Sequence, residues 1–114
     1  MQLDIWVSEK FNTSFVGGTV HLQCGDSEAS NVISPVDWIY QSSLGTTAHR
    51  IISAGHLTNG NRGGRLNVNG STLTISNVEI NDKGRYICVE AAGLGTKHYV
   101  SLDVQLFYSG KSSK

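Results

Sequence analysis

The chain has 114 residues, a length that suits a single domain with one hydrophobic core. Nine basic residues balance nine acidic ones, so no strong field favours nucleic acid or an anionic membrane surface as a partner. No apolar run approaches the roughly 20 residues of a membrane-spanning helix, and no signal peptide is recognisable. We therefore expect any signal, membrane anchor or further domain of the native protein to lie outside these residues.

The predicted elements are short strands separated by turns, with no helical periodicity of useful length. In chain order, strands are predicted over residues 3–7 (continued by 11–15 after a kink), 19–24, 36–41, 48–54, 65–69, 71–76, 85–91 and 97–106, with a short edge strand within 56–64. Residues 25–34 are polar and predict a loop, and Asn69-Gly70 predicts a tight hairpin turn. About nine short strands indicate an all-β sandwich of two antiparallel sheets.

The domain boundary is predicted near the C-terminus. We expect the β domain to occupy residues 1–107. Residues 108–114 are rich in Ser, Gly and Lys and predict a flexible stalk or linker.

The most specific pattern lies between Leu73 and Cys88. The apolar residues Leu73, Ile75 and Val78 precede a turn, and the motif Asp82-x-Gly84-x-Tyr86-x-Cys88 follows. The only other cysteine, Cys24, ends an alternating strand, and Trp38 follows it within the sequence VDWIYQ. This set resembles the immunoglobulin superfamily, and the resemblance extends over residues 3–106.

The resemblance implies structural roles for seven residues. It implies an inter-sheet disulfide between Cys24 and Cys88, with Trp38 packed over it. It also implies a tyrosine corner at Tyr86, a special backbone conformation at Gly84 and an ion pair between Arg65 and Asp82. Because such disulfides persist in oxidising compartments, the protein is expected to be extracellular, either at the cell surface or secreted.

The cysteine spacing and the additional strand at residues 48–54 resemble the variable (V) type of domain, with the intermediate type as the alternative. Antigen receptors carry a long loop after the second cysteine and an aromatic residue before a glycine bulge. Here Ala92 stands in place of that aromatic residue, only four positions after Cys88. We therefore predict a tight hairpin turn over residues 93–96 and a receptor- or adhesion-type domain rather than a somatically diversified one.

The outer face of the sheet that contains Cys88 is the predicted interface, because alternation places apolar side chains there. The interface candidates are Ile39, Gln41, Ile51 or Ile52, Ile87, Val89, Ala91 and Tyr99. Trp6 and the loops at residues 25–34 and 56–64 are alternative contact surfaces.

Three functions remain open from the sequence. The first is a recognition module of an immune-type receptor or adhesion molecule that binds a protein ligand or itself. The second is a lectin-like module that binds glycans or microbial surfaces through its loops. The third is a spacer in a longer chain of immunoglobulin domains. Asn12 and Asn69 begin glycosylation sequons, which are compatible with secretion.

Enzyme chemistry has little support in the sequence. The four histidines, His21, His49, His56 and His98, lie on different predicted elements, and no pair has the spacing of a metal site. No nucleophile elbow, phosphate loop or CxxC motif is present. Arg62 and Arg65 could bind an acidic sugar, although the pair with Asp82 explains Arg65 better. We expect no catalytic activity, no cofactor and no metal.

Overall fold

The computed structural model describes residues 9–25, 32–42, 47–58 and 64–106. This part of the chain contains nine strands: β1 (Glu9–Phe15), β2 (Val20–Gln23), β3 (Asp37–Ser42), β4 (Ala48–Ser53), β5 (His56–Leu57), β6 (Leu66–Asn69), β7 (Thr72–Ile75), β8 (Gly84–Val89) and β9 (Lys97–Gln105). A 3-10 helix (Ile80–Asp82) and a helical turn (Glu90–Gly93) complete the elements. The predicted strand at residues 3–7, Trp6, Arg62 and the proposed linker lie outside the described residues.

The strands form two sheets. One has six strands in the order β1-β9-β8-β3-β4-β5, and the other has three in the order β2-β7-β6. β1 pairs with β9 in parallel, and the other neighbours are antiparallel. The all-β, V-type sandwich predicted from the sequence is confirmed, including the additional strands β4 and β5 at one edge.

The core lies between the two sheets, where alternate residues of each strand meet. Leu22, Leu73 and Ile75 of the three-stranded sheet are fully buried, as are Trp38 and Tyr86 of the six-stranded sheet. The predicted disulfide is present: Cys24 and Cys88 join the sheets with an Sγ–Sγ distance of 2.07 Å. Trp38 lies opposite Cys88 in the sheet register, which places the indole beside the bridge.

A polar network closes one end of the sandwich. Arg65 donates two hydrogen bonds to the carboxylate of Asp82, at 2.7 and 3.2 Å. The same carboxylate accepts the Glu79 backbone N–H at 2.8 Å, and the hydroxyl of Tyr86 donates to the Asp82 carbonyl at 2.5 Å. At Gly84 the backbone φ is +151°, and a Cβ would lie 2.5 Å from the Gln41 carbonyl oxygen. Only glycine fits that approach.

The two sequons occupy different environments. The β6–β7 hairpin turns through Gly70 and Ser71, because Asn69 pairs with Thr72 as the last residue of β6. The turn is therefore one residue later than the Asn-Gly dipeptide suggested, and the Asn69 side chain is exposed. Asn12 lies within β1 and is half-buried. Glycosylation at either position stays a prediction.

Candidate binding face

Residues opposite one another in the register of the six-stranded sheet form rows across its outer face. We define the apolar row as Tyr99, Ile87 and Ile39, and the mixed row as Phe11, Ser101, Arg85 and Gln41. The apolar row is continued by Arg50 of β4. Beyond the mixed row lie Thr13, Asp103 and Lys83, the last two forming an ion pair at 3.6 Å.

The apolar row brings together three of the interface candidates. Tyr99 lies opposite Ile87, and Ile87 lies opposite Ile39, so the three side chains are neighbours on β9, β8 and β3. All three are half-buried although they point away from the core. The result is a continuous apolar strip at the centre of the face, with Gln41 in the adjacent row.

The candidates on β4 are not on this face. Ile51 is 6 % exposed and Ile52 is fully buried, and both belong to the core cluster. A register shift between Trp38 and Ile39 places Ile52 opposite Trp38, on the inner side. Because of this bulge, Arg50 takes the outer position beside Ile39, so the expectation that an isoleucine of β4 joins the face is wrong.

Arg50 and Asp37 form the polar border of the apolar row. The Arg50 Nε lies 2.8 Å from a carboxylate oxygen of Asp37, whose other oxygen accepts the Ala54 N–H at 2.7 Å. The Asp37 side chain is 5 % exposed and the Arg50 side chain is 51 % exposed. The buried carboxylate is thus neutralised, while the cation still reaches solvent at the edge of the face.

Val89 and Ala91 contribute little to the exposed face. Val89 has the outward parity but is only 3 % exposed. The predicted strand over residues 85–91 included Ala91. In the structure β8 ends at Val89 and the chain turns at Glu90, so Ala91 is not part of the strand. The turn predicted over residues 93–96 therefore begins three residues earlier.

The sequence pattern missed Phe11 and Arg85. Phe11 is 80 % exposed and lies on the outer face at the sheet edge, opposite Ser101. The Arg85 guanidinium lies 5.5 Å from the centre of the Tyr99 ring, which is cation–π distance. Phe11 follows a predicted kink, so the face of the sheet to which it belongs could not be assigned from the sequence. For Arg85 the only signal was alternation, because the residue before the inward-facing Tyr86 is expected to point outward.

The turn after β8 has an unusual backbone. Ala91 (φ 54°, ψ 51°) and Ala92 (φ 54°, ψ 38°) are both left-handed, a conformation that costs a residue with a Cβ about 1–2 kcal/mol. Two hydrogen bonds hold them: the Ala91 N–H donates to the Ile33 carbonyl and the Ala92 N–H to the Pro35 carbonyl. The turn is thereby attached to the chain segment before β3.

Replacing Ala92 with glycine should relieve this strain. We expect Ala92→Gly to stabilise the protein by about 0.5 kcal/mol, because relief of the left-handed strain exceeds the added entropy of the unfolded chain. Ala48→Gly, within β4, should instead destabilise it by about 0.5–1 kcal/mol. Urea unfolding of both variants measures the difference, and a destabilised Ala92→Gly would contradict the left-handed assignment.

Glu90 ties the same turn to its surroundings. One carboxylate oxygen accepts the Ile33 N–H at 3.1 Å, and the other lies 2.5 Å from Nε2 of His98. The hydrogen bond with His98, followed by that from Ile33, lowers the pKa of Glu90. The turn presents Leu94, which is 90 % exposed, at the end of the domain.

The Glu90 interactions should produce a measurable pH dependence. Because the folded-state pKa is lowered, the ionised carboxylate stabilises the fold above its ordinary pKa, and this stabilisation is lost as the pH falls through the lowered value. Glu90→Gln should therefore be about 1 kcal/mol less stable than the parent at pH 7, with the gap closing below about pH 4.5. A gap that stays constant in urea titrations across this range would contradict the assignment.

Within the described residues, no three His, Cys, Asp or Glu side chains are grouped as metal ligands. No helix in the same part of the chain has the length and hydrophobicity needed to cross a membrane.

The comparisons with known proteins agree with this architecture. Residues 9–106 match the family model described as the immunoglobulin V-set domain. A search of curated protein sequences found no match. The chain therefore belongs to the immunoglobulin V-set family, a family of recognition domains that are typically extracellular and not enzymes.

Several solved structures share the fold at low sequence identity. The first immunoglobulin domain of the mouse polymeric immunoglobulin receptor is 21 % identical, with a TM-score of 0.65 and coverage of 88 % of this chain and 93 % of that one. The extracellular domain of the voltage-gated sodium channel beta4 subunit is 18 % identical, with a TM-score of 0.64 and coverage of 99 % and 98 %. The N-terminal four immunoglobulin domains of Dscam1 isoform 6.9 are 17 % identical, with a TM-score of 0.61 and coverage of 90 % and 24 %. At these identities, the similarity shows that the chain shares the fold of these domains.

Proposed function

We propose that this protein is a non-enzymatic extracellular recognition module that binds a protein partner through the outer face of its six-stranded sheet. The observation that carries this proposal is the apolar row of Tyr99, Ile87 and Ile39, which lies on three adjacent strands and faces away from the core. A solvated sheet face would carry polar side chains at these central positions.

The distribution of side chains on the face supports binding to a protein. Interfaces have a central part depleted in charge and a polar border that stays in contact with water. Here the charged residues Arg50 and Arg85 border the apolar row, and both are exposed. Aromatic and arginine side chains are also the types most often found at energetic hot spots, and Tyr99 and Arg85 form such a pair.

Two further observations support an extracellular place and an adhesive or receptor role. The Cys24–Cys88 disulfide is a bond that persists in oxidising compartments. Among the similar structures, those of the sodium channel beta4 subunit are described as parallel homodimers that explain its role in cell–cell adhesion. We extend to this chain only the idea that such a fold can join two proteins.

The proposal is tested by displaying the oxidised domain on a multivalent scaffold and measuring its binding to cells of the source organism. Ile87→Glu should abolish binding, because it places a charge at the centre of the apolar row. Asn67→Glu is the matched control: it adds the same charge to an exposed position of β6 on the other sheet, and should bind as the parent does.

Treating the cells with protease before the assay identifies the chemical class of the partner. Loss of binding after proteolysis would support a protein partner. Binding that survives proteolysis and the Ile87→Glu change, but is lost after glycosidase treatment, would refute the proposal and favour glycan recognition through the loops. Circular dichroism and thermal unfolding establish that each variant is folded.

A further inference from the structure

On the basis of the proposed function, we infer that the partner of the outer face is a second copy of this chain, and that Phe11 of each copy enters a hollow on the other. The hollow has a volume of about 460 Å³ and lies over β1, β9, β8 and the end of β3. The hollow is open towards solvent, so a side chain of another molecule can enter it from above the sheet.

The hollow arises from the sizes of the side chains in the mixed row. Ser101, a small residue on β9, lies between Phe11 on β1 and Arg85 on β8. Thr13, another small side chain of β1, also lines the hollow. Phe11 lies on one side of Ser101 in the mixed row, and Arg85 and Gln41 lie on the other, and all three line the hollow. We therefore place the ring of the second copy above Ser101, between these larger side chains.

Phe11 is an exposed aromatic side chain at the border of the hollow. It is 80 % exposed and is the most exposed aromatic residue in the described part of the chain. A phenylalanine ring is among the side chains that gain most from leaving water, so its position on the rim favours burial against another molecule. The chain thus carries a projecting ring and a hollow on the same face.

A projection and a hollow on one face are the requirements of a two-fold symmetric interface, in which each copy gives and receives the same contact. The charges around the hollow are also compatible with self-association. Arg85 and Lys83 lie beside Asp103, so the rim presents both signs. The formal net charge of the whole chain is zero at pH 7, so two copies have no net repulsion to overcome.

Sedimentation equilibrium of the oxidised domain, over a concentration series from micromolar to millimolar, tests this inference. We expect a monomer–dimer equilibrium. Phe11→Ser removes the ring, and Ser101→Trp fills the hollow. Each should raise the dissociation constant of the dimer about tenfold or more. Leu94→Ser is the matched control, because Leu94 is 90 % exposed at the end of the domain and should leave the equilibrium unchanged.

Mixing the two variants provides the sharpest result. The Phe11→Ser variant loses one wall of the hollow but keeps Ser101 open beside Arg85, and the Ser101→Trp variant keeps the ring. A mixed pair therefore regains one ring-to-hollow contact, which neither variant can make with itself. We expect the mixture to associate more tightly than either variant alone. If Ser101→Trp does not fold, Thr13→Trp fills the same hollow from β1.

Two results would overturn the inference. One is a parent domain that stays monomeric at every concentration, and the other is a dimer that Phe11→Ser leaves intact. Both are distinguishable from failure of the proposed function, because cell binding that depends on Ile87 would still support recognition through the outer face by a different protein.

Discussion

Removing the disulfide between Cys24 and Cys88 is expected to destabilise the fold more than any other change considered for this protein. The bridge joins residues 64 positions apart, and in the chain-entropy description a loop of that length contributes about 4 kcal/mol. Domains of this size are stable by only about 5–15 kcal/mol, so the loss is a large part of the total. We expect the Cys24→Ala/Cys88→Ala variant to melt about 20 °C below the parent.

Urea unfolding followed by far-ultraviolet circular dichroism measures this loss. Reducing the parent protein provides the control, because it opens the bridge without removing the sulfur atoms from the core. The two routes should give similar losses of unfolding free energy. The double variant should be slightly less stable than the reduced parent, because it also loses the packing of the sulfur atoms. A double variant that unfolds within about 1 kcal/mol of the oxidised parent would contradict the expectation.

Asp82→Asn is expected to produce the second large effect, a loss of about 3 kcal/mol. The Asp82 carboxylate is almost fully buried and neutralises Arg65, whose side chain is only 15 % exposed. The hydrogen bond with Asp82 raises the pKa of Arg65, and the substitution removes that contribution. The guanidinium nevertheless stays charged, because an arginine side chain keeps its proton at any pH at which the protein is folded. The variant would therefore bury a cation without its main counter-ion and would also weaken the bond from the Glu79 N–H.

Asp103→Asn is the matched control for this experiment. It makes the same chemical change in a pair with Lys83 in which both side chains are about half exposed. Water screens such pairs, so the expected loss is about 0.5 kcal/mol or less. Chemical denaturation of both variants gives the comparison, and equal losses would show that burial does not set the strength of the Arg65–Asp82 pair.

The architecture was predictable because its signals are local. Alternation of apolar and polar residues predicts a strand wherever one face is buried, and the spacing of Cys24, Trp38, Tyr86 and Cys88 is specific to one type of sandwich. The roles of Asp82 and Gly84, the disulfide and the V-type arrangement of strands were implied by the resemblance that these residues carry. In the structure the Asp82 carboxylate binds Arg65, and Gly84 has a φ of +151°.

The candidate face was predicted only in part, because its composition depends on how strands pair. The central residues Ile39, Ile87 and Tyr99 follow the simple parity of their strands, and they lie side by side as expected. The parity of β4 is interrupted by the register shift beside Trp38, which no pattern within β4 reveals. That shift is the reason that Ile51 and Ile52 are in the core and Arg50 is on the face.

The turn after β8 shows a similar dependence on distant contacts. Two consecutive alanines favour a right-handed helix when only local preferences act. They become left-handed here because carbonyls of Ile33 and Pro35, more than fifty positions away in the chain, accept their N–H groups. The backbone strain is offset by hydrogen bonds that exist only after the two segments have met.

Local periodicity was thus sufficient to predict most of the strands and many of the core side chains, and the resemblance carried by Cys24, Trp38 and Cys88 implied the disulfide. The composition of the outer face depends on which residues lie opposite each other on neighbouring strands. Many of these residues are far apart along the chain. Phe11 lies beside Ser101 only because β1 pairs in parallel with β9, and the hollow exists only because Arg85 borders the same serine on the other side. These neighbours are set by the packing of the whole sheet, in which burying one face of every strand selects the register.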